Sequence, residues 1–307
     1  MAAAGRICRT IVTGTTDRVR SRSVGEGGAV VELGAELARG SRSTIHACGP
    51  GAVAKVPLAS TPEGWIEFEA RYADAVHAAG APVPRVLGIE TAAGRVVSIY
   101  ERVDGPSMWA EMRARPEAAG SLARVLAGLQ TVLFSLAPPV VVPRQVDRLA
   151  CKVREAAVRV DRSLLDALDV APDAGPPVLC HGDLHPGNVI MARAGPVVVD
   201  WFDAARGAAV ADVARTLLLL APDSQGPSGA GHLPEATPAA LGVVCGAYRA
   251  AIDELVSPDP ELLDRWVAVM AVARLAEGVE PDRLLAHWDA WRSERRPPAG
   301  QGATSAV

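Results

Sequence analysis

The stretch VLCHGDLHPGNVIMARAGPVVVDWFDAARGAAVADVA, residues 178–214, constrains this chain more than any other. Within it Asp183 and Asn188 lie five positions apart in a loop rich in proline and glycine, followed by VIM, the turn ARAGP, and VVV leading to Asp200. Two short apolar runs about a Gly-containing turn read as a β-hairpin. Strands of about three residues, rising roughly 3.3 Å per residue, carry the chain out about 10 Å and back. That return places Asp200 beside Asn188. Two close carboxylates left uncompensated would drive one of them to take up a proton. Asp183 and Asp200 beside an amide oxygen therefore invite a divalent cation, and hard oxygen donors favour magnesium.

Around this segment the texture of the chain changes once. From Val30 to Val56 short apolar pieces (AVVEL, STIHA, GAVAKV) alternate with glycine and Ser/Arg turns, the pattern of antiparallel strands in tight loops. WIEFEARYADAVHAAG follows with helical spacing and ends at Gly80, Pro82 and Pro84. RVLGIE and RVVSIYERV, joined by TAAG, then return to strand. Beyond Asp104 the patterns are long and helical, as in SLARVLAGLQTVLFSL, with further helices expected over 145–169, 209–220, 238–256, 261–277 and 281–295. The division predicted is a flexible leader at 1–28, a small sheet-bearing lobe at 29–103, and a larger helical lobe at 104–307. The fold class is α+β.

Composition excludes several functions. The chain has 307 residues, 31 basic against 35 acidic, so nothing draws it generally to nucleic acid or an anionic membrane. No run approaches the roughly 18 uninterrupted apolar residues of a spanning helix, and arginines break the N-terminal stretch where a secretory signal needs an apolar core. Five cysteines without regular spacing argue against a disulfide framework or zinc ribbon. A cytoplasmic protein with no nucleic-acid or membrane partner is expected. Only Lys55 and Lys152 are lysines; the other 29 basic residues are arginine. That bias fits a GC-rich genome and makes each remaining lysine worth following.

An aspartate followed five positions on by asparagine, with a later metal-binding aspartate, is the spacing of a kinase catalytic loop. HGDLHPGNV, then VDW, then Asp212, closely resembles the aminoglycoside phosphotransferase family, and the resemblance extends over roughly 30–295. It implies a two-lobed, protein-kinase-like fold with a small N-terminal antiparallel sheet lobe carrying one helix and a larger helical C-terminal lobe. No D-F-G followed by A-P-E is present, so the platform that positions a peptide in protein kinases is missing from the pattern.

The resemblance also implies roles. Asp183 would accept or orient the acceptor hydroxyl's proton, and Asn188 and Asp200 would hold magnesium. His181 and His185 would hold the loop, with Asp212 bracing it. A zinc site on the two histidines is disfavoured because Gly182, Pro186 and Gly187 break the helix that H-x-x-x-H ligation needs. Lys55, in VAKV, would clamp the α- and β-phosphates, oriented by Glu69 on the following helix, with Glu67 the rival. Gly40, Ser41 and Ser43 are candidates for backbone contact with phosphate, or form an ordinary hairpin turn. Tyr100 would gate an inter-lobe hinge where adenine meets the backbone of Glu101 and Val103. Asp203 and Arg206 are left between loop bracing and acceptor contact. The function expected is transfer of the γ-phosphoryl of ATP, or of GTP, to a small hydroxylated acceptor such as an aminoglycoside or related basic antibiotic. A metabolic alcohol kinase for choline, homoserine or a sugar, and a nucleotide-binding pseudokinase, are the rivals. Nothing in the sequence specifies the oligomeric state.

Overall fold

A computed structural model describes residues 31–62, 64–92, 94–156, 175–222, 233 and 235–279. The predicted leader at 1–28, the helix expected at 281–295 and the end of the one expected at 145–169 lie outside the described residues. What is described is an antiparallel sheet with one helix, followed by a mainly helical region, in the protein-kinase-like arrangement.

The sheet has five strands in the order β1-β2-β3-β5-β4: β1 (Glu36–Arg39), β2 (Ser43–Ala47), β3 (Ala52–Pro57), β4 (Val86–Ala92) and β5 (Arg95–Glu101). All its pairings are antiparallel, with Ile45 opposite Lys55 and Lys55 opposite Ser98. The first strand is displaced from expectation. Of AVVEL, the described residues 31–33 form no strand; the polar ELAR does, while Val31 and Leu33 pack against the small apolar cluster of Ala54, Ala92, Val97 and Ile99. An edge strand gains its ladder from one side only, so the apolar piece is used as packing and the polar piece is left at the edge. Between β3 and β4 lies α1 (Trp65–Ala78), whose buried face carries Ile66, Glu69, Ala70, Ala73 and Val76. Glu69 is the one acid on that face.

The second region contains α2 (Met108–Ala114), α3 (Ala119–Ser135), α4 (Gln145–Ala156), the short strand β6 (Val178–Cys180), the hairpin β7 (Val189–Ala192) and β8 (Gly195–Val198), and β9 (Ala205–Gly207). Then come α5 (Ala209–Leu220), α6 (Pro238–Leu255) and α7 (Pro260–Leu275). Pro116–Ser135 is long and apolar enough by composition to cross a membrane. Its placement is that of a core helix: Leu122, Leu126, Leu129 and Leu133 are buried, and Gln130 hydrogen-bonds Asp212 inside the protein.

Helix α5 is buried on every side from Val210 to Leu220, as expected of a helix apolar all round. Each buried leucine there contributes about 1.5–3 kcal/mol of transfer free energy. Two charged residues, Asp212 and Arg215, interrupt that run one turn apart on a common face. Both point at the loop that follows β6.

Candidate active site

The loop after β6 is built by close backbone approach. Gly182 has φ +77, and a Cβ there would stand 2.3 Å from the carbonyl oxygen of Asp203, so only glycine lets the two turns touch. Asp212 accepts from the backbone N–H of Gly182 at 2.8 Å and of His181 at 3.3 Å. It also accepts from Gln130, which in turn accepts from the Tyr248 hydroxyl. His181 donates from Nε2 to the Val199 carbonyl and accepts the Asp183 N–H at Nδ1. Both its ring nitrogens are thus engaged within the protein. His185 accepts the Gly187 N–H at 3.0 Å, and burial pushes the His185 imidazole below its ordinary range, against the opposing charge of Asp183.

Asn188 donates from Nδ2 to the Asp183 carbonyl at 2.9 Å, which commits the amide nitrogen and leaves the side-chain oxygen as its remaining polar atom. The hairpin returns as its length requires, with the Val199 N–H on the Asn188 carbonyl at 2.9 Å. Asp200 therefore follows directly beside Asn188. It sits at φ 66, ψ 68, a left-handed conformation unusual for a non-glycine residue. Such conformations cost about 1–3 kcal/mol and concentrate at ligand sites.

Lys55 of β3 bridges two carboxylates: Nζ lies 2.6 Å from Glu69 Oε1 and 3.1 Å from Asp200 Oδ1. Glu67 is exposed and makes no part of this pair. Burial would lower Lys55, but Asp200 and Glu69 outweigh it and hold the ammonium well above its ordinary range. Asp200 is depressed because Lys55 outweighs burial. Glu69 goes the other way: burial, with Asp200 adding, raises it to about 6 despite Lys55.

The structure changes the electrostatic argument for a cation. Asp183 and Asp200 are not an uncompensated pair, because Arg215 meets the first and Lys55, shared with Glu69, meets the second. Among the described residues no group of three or more His, Cys, Asp or Glu is placed to hold a metal. What remains is the Asp200 carboxylate, its side chain 46% exposed, next to the residue carrying the free Asn188 oxygen. Two hard oxygen donors are the set that suits magnesium, which takes one or two protein ligands and completes its shell with water and phosphate.

Two backbone candidates have part of their hydrogen-bonding capacity taken by the fold. The Gly40 N–H closes the turn onto the Ser43 carbonyl at 2.8 Å and is not left for a phosphate. Ser43 itself is buried in β2, and Ser41 is exposed in the turn. Glu101 spends its N–H on the Arg85 carbonyl at 2.9 Å, so only its carbonyl can serve a base, while Val103 lies half-buried just beyond. Tyr100 is buried, and its phenol is pushed up by burial and then by Glu69 and Asp200.

Sequence reasoning missed the second ion-pair group. Arg215 places Nη2 2.9 Å from Asp183 Oδ1, Nη1 2.9 Å from Glu277 Oε2, and Nε 3.1 Å from the Gly182 carbonyl. Lys152, the other lysine, reaches Glu277 at 2.8 Å and Asp203 at 3.4 Å. Arg148 and Arg42 also approach Asp203, at 3.4 and 4.0 Å. Burial opposes the ionisation of Asp203, but Lys152, Arg148 and Arg42 outweigh it and hold the carboxyl at about 2. Asp203 therefore braces this end of the site. Arg206 lies in β9, its N–H on the Pro143 carbonyl. The signal available for Arg215 was local: D-V-A-R puts two charges on one face of a helix otherwise apolar.

A further bridge joins the two regions. Trp65 of α1 stacks on Phe202 at 4.2 Å, and the Arg42 guanidinium lies over both rings.

A family model described as the phosphotransferase enzyme family matches residues 41–249. Among solved structures, aminoglycoside-3'-phosphotransferase of type VIII aligns at TM-score 0.51 and 24% identity, covering 78% of this chain and 91% of that one. A choline/ethanolamine kinase family protein from Mesorhizobium loti aligns at 0.51 and 16%, covering 89% and 90%. A variant of aminoglycoside 2'-phosphotransferase-IIIa in complex with GDP aligns at 0.50 and 19%, covering 87% and 89%. At these identities the likeness is one of fold. No curated protein matches by sequence.

Proposed function

The chain belongs to the phosphotransferase enzyme family, that of the aminoglycoside phosphotransferases, and from that premise we propose that it moves the γ-phosphoryl group of ATP to a hydroxyl of a small molecule. The observation that carries the reading is Lys55 held between Glu69 and Asp200 at the mouth of the loop bearing Asp183 and Asn188. A compact ammonium fixed between two carboxylates is suited to meet phosphate oxygens as a point charge. Asp183 has one carboxylate oxygen, Oδ2, not taken by Arg215, and in this reading that oxygen receives the acceptor hydroxyl's hydrogen bond. Asp200 and the Asn188 side-chain oxygen would hold magnesium, which when bound neutralises phosphate charge. His181, Asp212 and His185 keep the loop in place, and the backbone beyond Tyr100, through the Glu101 carbonyl and Val103, would meet the base. GTP is the alternative donor.

For the acceptor we propose a hydroxylated amine of the aminoglycoside kind. Its support is the acidity of residues 251–307, where ten carboxylates stand against six arginines. Asp253 pairs with Arg249, Glu254 with Arg124, Asp259 caps α7, and Glu277 is enclosed by cations. The support is therefore the net acidity of the segment as read from the sequence, not any of these four carboxylates. Choline-type, homoserine-type and sugar alcohols form the competing acceptor class, and a pseudokinase would consume no ATP.

The test is ATP and GTP consumption by the purified protein against a panel of hydroxylated amines and neutral alcohols, with mass spectrometry of the products. A product heavier by one phosphoryl group, formed only at a small residual rate with Asp183→Asn, is expected. Nucleotide binding without any phosphorylated product would favour the pseudokinase.

A further inference from the structure

We propose that Arg215 is a positioning residue that selects which oxygen of Asp183 meets the acceptor hydroxyl. The inference rests on the phosphoryl-transfer reading above and goes beyond it, because Arg215 lies just outside the segment 178–214 that carries the family resemblance.

Arg215 stands on α5, a helix buried on every side, and its side chain is 4% exposed. A charge is costly in such a place unless every hydrogen-bonding direction is used. Three directions are used by two separate segments: Gly182 and Asp183 from the loop after β6, and Glu277 from the segment after α7. Three fixed contacts from a planar guanidinium define its plane. Asp183 Oδ1 is thereby anchored, and Oδ2 is left facing His185 Nε2 at 3.9 Å, beyond hydrogen-bond range. The carboxylate has one oxygen committed to the protein and one open to a substrate.

Neutralising Asp183 would need only a nearby positive charge. Orienting it needs the fork, because an ammonium is a point charge that cannot hold Gly182, Asp183 and Glu277 in one plane. Glu277 supports the second function: its carboxylate, 5% exposed, holds Nη1 of the guanidinium beside the Nη2 that meets Asp183, and is itself held by Lys152 at 2.8 Å. The chain of alternating charge runs Asp183, Arg215, Glu277, Lys152, Asp203. It ties the catalytic loop to α4 and to the segment after α7.

The two roles separate in Arg215→Lys. With the acceptor found in the panel above, positioning predicts kcat reduced on the order of 10- to 100-fold, as for a displacement of about 1 Å at a reacting group. KM for ATP should stay within about threefold, since Arg215 touches none of Lys55, Glu69, Asn188 or Asp200. In an Asp183→Asn background the same change should cost nothing further, because Arg215 acts through that carboxylate. Should Arg215→Lys fail to fold, Glu277→Gln keeps the shape of the anchor while weakening it, and a smaller loss of kcat at unchanged KM is expected. Wild-type kcat in Arg215→Lys, multiplicative losses in the double variant, or a parallel rise in KM for ATP would each overturn the proposal. If the wild-type protein phosphorylates nothing, the phosphoryl-transfer reading falls first and this inference with it. An active wild type beside an equally active Arg215→Lys overturns this inference alone.

Discussion

Two buried glutamates, Glu69 and Glu277, sit in opposite electrostatic situations. Glu277 lies 2.9 Å from Arg215, 2.8 Å from Lys152 and 3.6 Å from Arg274; burial opposes its ionisation, but these cations outweigh it and hold the carboxyl well below its ordinary range. Glu69 has one cation, Lys55, and must share it with Asp200, so its carboxyl is raised to about 6. The first group is closed, with its carboxylates matched or outnumbered by cations. The second carries two carboxylates on one ammonium, and one of them, Asp200, is half-exposed. A closed network acts as a frame. An open deficit of positive charge is where the proposed function puts the nucleotide and its cation, and the strained backbone of Asp200 lies on that side.

If this contrast holds, substitutions in the two groups should separate stability from activity. Glu277→Ala leaves Arg215 and Lys152 without their shared carboxylate, and breaking a buried pair from one side costs about 3–5 kcal/mol. Denaturant unfolding should show a loss of that order. Glu69→Gln should cost about 1 kcal/mol or less, because ionising Glu69 in place is itself unfavourable, while lowering activity through loss of Lys55 orientation. Equal destabilisation by the two changes would dissolve the distinction.

The pH response sharpens it. Glu69 titrates near 6 in the folded protein and near 4.5 when unfolded, so between those values the folded state holds a proton the unfolded state has lost. Stability should therefore fall as pH rises from about 4.5 to 6, and Glu69→Gln should flatten that slope. Activity runs oppositely, with kcat/KM declining as pH falls through about 6 and the acid limb lost in Glu69→Gln. Asp203, held at about 2, contributes stability that is present above its unfolded value near 3.8 and is lost as pH falls through about 2. A wild-type stability curve that is flat from 4.5 to 6 would remove Glu69 from this account.

The smallest effect is expected at the bridge between the regions. Arg42 over Trp65 and Phe202 is a partly exposed cation–π contact, worth about 0.5–1 kcal/mol. Arg42→Ala should change KM for ATP by no more than about fivefold, with turnover nearly unchanged. A much larger loss would mean that the turn contacts the nucleotide directly.

The nucleotide side was more legible in the sequence than the frame, for a physical reason. Hairpin length returned Asp200 to Asn188, a local signal, and the sequence favoured Glu69 as the partner of Lys55 while leaving Glu67 open, a choice made by the Lys55–Glu69 contact. The contacts of Arg215 with Glu277 and of Lys152 with Glu277 join residues 62 and 125 positions apart. Such pairs leave no periodic trace. Asp212 was legible because the family motif includes it, and Arg215, one turn on, could have been found from the same apolar helix. The notion of an uncompensated carboxylate pair failed because the cations that compensate it come from β3 and α5, remote in sequence from the loop. AVVEL misled because an apolar run reports burial rather than ladder position.

The most direct measurement is calorimetric titration of ATP with magnesium into three proteins: wild type, Asp183→Asn and Asp200→Ala. The account predicts that wild type and Asp183→Asn bind with affinities within about threefold of each other, because Asp183 belongs to the framed, acceptor-facing side. Asp200→Ala should bind at least about tenfold more weakly, because the open carboxylate on Lys55 is the one that meets the metal-bearing nucleotide. Equal affinity in all three, or a loss confined to Asp183→Asn, would contradict it.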